Sequence, residues 1–525
     1  MYQSKEDNNF YSLSFGLFNF FVKRTRLISV LLSFLLSLWC VYKADAINND
    51  GILYINTAKH ILAGDWRGAY ELYDWLYYPV LIALVSFVSG MDLEVSAHIL
   101  NALLTALMVF GFITLVREID NDLKILAIAG IVILFHPYIN DTRSEIVRDH
   151  GYWACYLLAI TFLIRYFKSQ QWSYSLAWGV AIINATLFRA EGMVFLAVVP
   201  GFLLFHLNNK FLTRLNFIAR LYAIVPLFFL VIIMFFLMND FDIKTASANH
   251  NPFDLLLRFI HEVRSGIYAK GEIISKTVLS QYADDYALAA IIATLLLVLL
   301  SKIFTTLTPL YSLLLVTLYK RTYLNFSLNL IIIEFCFINI SIACVFLFAN
   351  GFLSSRHIMP LALTLLVFVP SILKILVSQW ALNNRMFSRR NWIYVIILFV
   401  FLYQTVDGLV SLGGASKDYV KQAGLWLNEQ VEIPINLYTN NQKIAYYSGQ
   451  SMNYGGYVDW RQVPRWQLNM RMLQELAWQR YDYLALWVTH DNYQERQQFS
   501  KYLGIEPIKV FENSKKDAVL IYKIR

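Results

Sequence analysis

The feature that most constrains this chain is the recurrence of long apolar runs. They occur near residues 27–43, 95–116, 124–137, 152–167, 173–188, 192–207, 221–238, 286–302, 327–349, 358–378 and 391–410. Each is near the ~20-residue length that carries a helix across a hydrocarbon core, the shorter ones marginally. Hydrocarbon offers no water to backbone polar groups, so runs that cross it close their hydrogen bonds as helices. About eleven spans follow by the hydropathy-window argument. The run 303–319 leaves three alternatives open: a further span, a re-entrant piece, or a helix lying on the membrane. Composition agrees, because 58% hydrophobic and 15% charged residues over 525 positions leave too little charged surface for a soluble protein of this size. The expected class is a polytopic α-helical membrane protein.

The net charge of +8 does not imply nucleic acid, since much of it falls in short loops between apolar runs. The positive-inside bias explains that placement and sets an orientation. One set of loops carries Lys23, Arg24 and Arg26, then Arg117 and Lys124, then Arg165 and Lys168. It continues with Lys210, Arg214 and Arg220, with Lys320 and Arg321, and with Arg385, Arg389 and Arg390. Placing these in the cytoplasm puts residues 44–94, 138–151, 189–191, 239–285, 350–357 and everything after about 410 on the outer side. The sequence "ADA" at 44–46 has the form of a signal-peptidase site. The run before it is near the length that spans, and is read as an uncleaved first helix. Cys40, Cys155, Cys336 and Cys344 all lie within apolar runs and read as small hydrophobes, not as disulfides or metal ligands.

After residue 410 the apolar runs shorten and charge returns. "KDYVKQAGLWLNEQ" and "VPRWQLNMRMLQELAWQR" read as amphipathic helices, and "IPINLYT", "YDYLALWV" and "DAVLIYKI" read as strands. Their alternation predicts a small soluble α/β domain over 411–525, without a GxGxxG or Walker-type loop. The expected organisation is a cytoplasmic segment 1–26, a transmembrane domain 27–410 and this C-terminal domain. Juxtamembrane helices are expected on the outer surface within 51–90 and 138–151. Within the first of these, Ile52, Ile55, Ala58, Ile61 and Leu62 share one helical face, and Gly64 follows as a C-cap.

Polar clusters on the expected outer side supply the candidate site. Asp50 opens the helix at 51–63 and is either its N-cap or a carboxylate held at the membrane surface to take a proton. Asp45 either marks the exit from the membrane or supports that acid. The segment "HPYINDTRSEIVRDHGYW" at 136–153 concentrates Asp141, Arg143, Glu145, Arg148, Asp149 and His150. If it is helical, Glu145 and Asp149 stand at i and i+4 with Arg148 beside them, a surface pairing or a phosphate or metal site. In "NATLFRAEGMVFLAVVP" at 184–200, Arg189 and Glu191 interrupt an apolar stretch and mark a tight hairpin, as a structural pair or facing a cavity. In "NGFLSSRHIMPLALTLLVFVP" at 350–370, Arg356 and His357 stand at a helix mouth, where Arg can fork onto phosphate or snorkel to headgroups. His250, His261 and Glu262 lack metal-motif spacing and, with Arg258 and Arg264, read as polar faces of a short helix.

In order and common sidedness, these segments resemble the superfamily C glycosyltransferases. The nearest branch is that of the protein O-mannosyltransferases and the lipid A aminoarabinose transferases. The resemblance is carried by "DGILYINTAKHILAGDW", "RSEIVRDHGYW", "FRAEGMVFLAVVP" and "SSRHIMPLAL", and covers roughly residues 20–410. It implies inverting transfer of a sugar from a polyprenyl-phosphate donor to a lipid, glycan or protein acceptor. It implies Asp50 as general base, Glu145 or Asp149 as a second acid, and Arg148, Arg189, Arg356 and His357 near the donor phosphate. Asp45 and Glu191 would support them. No cofactor is required, although a divalent metal gripping phosphate between carboxylates is compatible with the residues. The branch implies a bacterial inner membrane with the site on the periplasmic side. The alternatives are a flippase or transporter for a lipid-linked sugar, disfavoured by the lack of internal repeats, and a polysaccharide polymerase or ligase.

Overall fold

A computed structural model describes residues 24–206, 211–226, 252–278, 282–318, 326–381, 416–430, 436–449, 477–490 and 499–525, with isolated positions between 392 and 403. The expected spans at 221–238 and 391–410 lie largely outside the described residues, as do residues 1–23, the loop with His250, and the helix expected at 463–476. Lys23, Lys210, Lys320, Arg321, Arg385, Arg389 and Arg390 also lie outside them, together with the side chains of Arg258, His261, Glu262 and Arg264.

In chain order the helices begin with α1 (Thr25–Lys43), α2 (Asn49–Leu62), α3 (Trp66–Leu72), α4 (Tyr77–Ser89), α5 (Leu93–Ile119) and α6 (Leu123–Leu134). Next come α7 (Pro137–Thr142), α8 (Asp149–Ser169), α9 (Trp172–Phe188), α10 (Glu191–His206) and α11 (Phe211–Leu221). They continue as α12 (Pro252–Thr277), α13 (Ala287–Leu307), α14 (Pro309–Leu318), α15 (Phe326–Asn350), α16 (Ser355–Leu366) and α17 (Val369–Ala381). The C-terminal part holds α18 (Asp418–Gln430), β1 (Leu437–Thr439), α19 (Gln442–Tyr447), β2 (Tyr483–Val488), β3 (Lys509–Glu512) and β4 (Ala518–Lys523).

Among the described residues, α1, α5, α13 and Leu330–Asn350 within α15 are long and apolar enough to cross a membrane. The pair α16 and Val369–Ser378, bent by 46°, makes a fifth if it forms one span. These helices fit an integral membrane protein. The expected count of about eleven is not shown, since two of the runs lie largely outside the described residues and others take a local form of their own. The run at 124–137 yields only 12 helical residues in α6, because His136 and Pro137 interrupt it. The run at 286–302 continues to Leu307, where Thr308 takes φ 71° and the following residues form the separate short helix α14. In α1 the usual sidedness is inverted: Leu27, Leu31 and Leu35 are exposed while Ser29, Ser33 and Ser37 are buried. That arrangement suits a helix whose outer face meets lipid and whose small polar face meets protein.

The chain divides into two compact units. The first comprises Met1–Leu36, Ala102–Asp141 and Arg148–Gly408, and the second Ser37–Asn101, Thr142–Val147 and Leu409–Arg525. In the first unit, α8 packs along α9, and Tyr156 is the centre of a buried cluster. Its hydroxyl is 2.7 Å from the Thr364 hydroxyl and accepts from Asn339 Nδ2 at 2.7 Å. Its ring meets Phe195 and Phe335 edge-on.

In the second unit, β1 runs parallel to β2, while β2–β4 and β4–β3 are antiparallel, giving the order β1-β2-β4-β3. The expected strands are present within β1, β2 and β4, and β3 and α19 are additional. Strand period sorts the core, since successive side chains point to opposite faces. Leu484, Leu486, Val488, Leu520 and Tyr522 pack with Phe499 and Leu503, whereas Ala485, Val519 and Ile521 pack with Tyr419, Val420, Ala423 and Leu427 of α18 and Ile444 of α19. The same unit contains α2, whose expected face is buried at Ile52, Ile55 and Ala58, half-buried at Ile61 and exposed at Leu62. Gly64 lies just beyond its end at φ 76°.

Candidate functional sites

In the second unit, Asp50 lies in the first turn of α2, not at its cap. The cap position belongs to Asn48, whose side chain turns away from its own helix to the segment 142–147. Its Nδ2 donates to the Ile146 carbonyl at 3.1 Å and its Oδ1 accepts from the Ile146 N–H at 2.8 Å. That double clamp ties the stretch before α2 to the backbone beside Glu145, and the Glu145 carbonyl in turn accepts from Asn101. Arg143 is buried and donates to the Ser37 hydroxyl at 2.9 Å, where it serves this packing.

The C-terminal part closes around the same stretch. Asp45 accepts from the Lys417 backbone N–H at 2.8 Å, and the Ile47 N–H donates to the Tyr447 hydroxyl at 3.0 Å. Asp45 therefore does more than mark a membrane exit: it anchors the entry to α18. The result is a polar cleft of about 690 Å³ that brings Asp50 and Glu145 together with Lys417, Lys443, Trp487 and Asp517. Asn440 fixes the Trp487 backbone from both sides, its Nδ2 donating to the Trp487 carbonyl at 2.9 Å and its Oδ1 accepting the Trp487 N–H at 2.7 Å. The Trp487 indole N–H donates to the Tyr419 hydroxyl at 2.7 Å. Burial and the neighbouring Lys417 push the Lys443 ammonium below its ordinary range, opposed in part by Glu145 and Asp45.

In the first unit a different cluster forms. Arg189 stands between the end of α9 and the start of α10, as the tight hairpin expected from the sequence requires. Its Nη1 donates to Asp149 Oδ1 and its Nη2 to Glu191 Oε1, while Nε lies 3.2 Å from each Glu191 oxygen. The guanidinium also lies 5.7 Å from the centre of the Tyr152 ring. Two glycines permit this closeness. A Cβ on Gly192 would sit 2.5 Å from the Thr186 backbone nitrogen, and one on Gly151 would strike the Phe188 ring. Arg148 and Arg356 lie within electrostatic reach of Asp149, as His357 does of Glu191. Arg356 is exposed, and the His357 ring stacks on Phe346 and shares a 2.6 Å hydrogen bond with the Ser354 hydroxyl.

The structure therefore gathers Asp45, Asp50 and Glu145 in the second unit and Arg148, Asp149, Arg189, Glu191, Arg356 and His357 in the first. The helical face expected to pair Glu145 with Asp149 does not form, because residues 143–148 are not helical and α8 begins only at Asp149. Lys417, Tyr419, Lys443, Trp487 and Asp517 carried no signal in the sequence, being some 370 residues or more from Asp50. Tyr152 was detectable in principle, one helical turn beyond Asp149. Among the described residues, no group of three or more His, Cys, Asp or Glu is placed to hold a metal ion. The described residues thus form no metal site of that kind.

No family model matches this chain, and a search of curated proteins finds no match. Among solved structures, the oligosaccharyltransferase of Archaeoglobus fulgidus in complex with Zn and sulfate is similar over 91% of this chain and 69% of its own, at 13% identity and a TM-score of 0.53. The archaeal oligosaccharyltransferase AglB from the same organism, in complex with an inhibitory peptide and a dolichol-phosphate, matches 92% of this chain and 71% of its own, at 12% identity and a TM-score of 0.48. A third structure, the A. fulgidus enzyme tethered by a disulfide to an acceptor peptide containing the NVT sequon, gives 14% identity and a TM-score of 0.47 over 79% of this chain. This chain spans 58% of that protein's length. At such identities the likeness is one of fold. The first of the three shows that this chain shares the fold of that oligosaccharyltransferase.

Proposed function

We propose that this protein is an inverting glycosyltransferase using a polyprenyl-phosphate-linked sugar at the extracytoplasmic face of a membrane. It would stand nearest the O-mannosyltransferase and aminoarabinose transferase branch, in a bacterial inner membrane. The observation that carries the reading is the polar cleft holding Asp50 and Glu145 directly after the first membrane helix, in a chain with an oligosaccharyltransferase-like fold. Asp50 acts as general base on the acceptor. The acceptor oxygen attacks the anomeric carbon and a new C–O bond forms. The bond from that carbon to the phosphate oxygen breaks, polyprenyl phosphate leaves with the electron pair, and the acceptor proton passes to Asp50. Glu145 is the second acid of the cleft.

Cations serve the donor phosphate through charge-assisted hydrogen bonds. Arg356 and Arg148 are the leading candidates, with His357 beside them. Arg189 is already engaged by two carboxylates. In this reading it is a positioning residue, and Asp149 and Glu191 fix it in place. The test is reconstitution with a radiolabelled polyprenyl-phosphate sugar and a mixture of glycan, peptide and lipid acceptors. Wild type should consume the donor, and Asp50→Asn should bind it while losing about 10²- to 10⁴-fold in transfer, the usual worth of a positioned general base. Full transfer by Asp50→Asn removes the base assignment. Movement of intact labelled lipid between leaflets would make the protein a transporter.

A further inference from the structure

We infer that the cleft of the second unit binds an uncharged saccharide, and that this saccharide is the acceptor. The second clause rests on the glycosyltransferase reading, whereas the binding does not. Three properties of the lining lead there.

The first is hydrogen-bonding character. Among the described residues, six side-chain amides line the cleft and Val420 is the one aliphatic residue. Asn48, Asn440, Asn441 and Asn513 are engaged within the protein, which leaves Asn49 and Gln442 to offer their amides to a ligand. An amide offers both donors and acceptors, as a sugar hydroxyl does. A peptide held by its side chains, or an acyl chain, needs aliphatic pockets, and among the described residues the lining has Val420 alone for that. The volume of about 690 Å³ falls within the range of about 300–1,000 Å³ usual for small-ligand sites.

The second is a rigid aromatic wall. Trp487 is half-buried, its backbone clamped by Asn440 and its indole N–H held by Tyr419. An aromatic ring presents an apolar face to a ligand with polar edges. Because these bonds fix the Trp487 backbone and indole within the protein itself, ligand binding would order little that is not already ordered.

The third is charge. Asp50, Glu145 and Asp517 line the cleft with Lys417 and Lys443, so among the described residues the lining carries one net negative charge when all five groups are ionised. The Asp45 carboxylate on the Lys417 backbone adds another beside it. A phosphorylated or uronic saccharide would meet repulsion, while a neutral one would find the ammonium and carboxylate groups as hydrogen-bond partners.

The experiment uses the full-length protein in nanodiscs on an array of neutral hexose and N-acetylhexosamine oligosaccharides, uronate- and phosphate-bearing oligosaccharides, and random-sequence peptides. Binding should be confined to neutral glycans. It should weaken about tenfold, the worth of one good hydrogen bond, in Gln442→Ala, which removes a single side chain at the start of α19, and at least as much in Trp487→Phe. Absence of neutral-glycan binding overturns the inference. So does preference for anionic glycans or peptides, or affinity unmoved by both substitutions. Donor consumption is measured in parallel on wild type with the neutral glycans, the anionic glycans and the peptides each supplied as acceptor. Donor loss without glycan binding ends this inference and keeps the transferase reading. Glycan binding without donor loss keeps the saccharide site and ends that reading.

Discussion

The two units handle the same kinds of charged residue in opposite ways. In the first, Arg189 and Asp149 are almost wholly removed from solvent, and the guanidinium is engaged by two carboxylates. In the second, Asp50 is half-buried and Glu145 exposed, in an open cleft whose lysines and amides face the same space. Burying charges forfeits hydration, and only close pairing offsets that loss. A buried cluster of this kind fixes a hairpin; it has little capacity left for a ligand. A solvated cleft keeps its polar groups exchangeable and available to substrate. The comparison teaches that charge density alone does not mark a site. What distinguishes the two regions is how far their charged groups are removed from solvent.

The comparison can be broken most strongly at Arg189. Arg189→Met leaves Asp149 and Glu191 without their counter-ion, and loss of one partner of a buried pair costs about 3–5 kcal/mol. A large fall in the melting temperature of the purified protein is the expected result. An unchanged melting temperature would mean that the cluster is not structural, and would return Arg189 to the donor phosphate.

A smaller effect is expected at Asn440. Asn440→Ala strips the Trp487 N–H and carbonyl of their side-chain partners, and a buried group left unsatisfied costs about 1–3 kcal/mol. Thermal unfolding monitors this, and the second unit should lose glycan affinity with it. Stability and affinity that both stay at wild-type values would show that the wall is not held by this clamp.

The smallest effect concerns pH. Lys443 has its ammonium form disfavoured by the fold, so the cost to stability is present in full below its folded-state pKa. That cost is relieved as pH rises from there toward the unfolded value of about 10.4. Wild-type stability should therefore gain on Lys443→Met, which has no such group, as pH is raised through that window. A difference between the two proteins that does not change with pH would mean that Lys443 titrates as an ordinary surface lysine.

Much of this architecture is legible in the residues because local physics dictates it. Hydrophobic runs specify helices where no water is present, and the Arg189–Glu191 interruption specifies a sharp hairpin because charge does not sit in mid-hydrocarbon. The face of α2 at Ile52, Ile55 and Ala58 follows from helical period, as β2 and β4 follow from alternation. The expected helix through Glu145 and Asp149 failed because Asn48 and Asn101 capture the backbone of that segment from outside it. Side-chain amides at such distances leave no local pattern.

The sequence by itself determined that the chain is a membrane protein, where many of its described helices and three of its strands fall, and that Asp50 lies in a helix just after the first apolar run. Only the tertiary structure decided that the C-terminal α/β elements group with Ser37–Asn101 and Thr142–Val147, and so surround Asp50 with lysines, amides and Trp487. It also decided that Arg189 is occupied by carboxylates. Helix and strand propensities act over a few residues, whereas a cleft is defined by which distant surfaces exclude water from one another. That is a property of the folded chain and of no single segment of it.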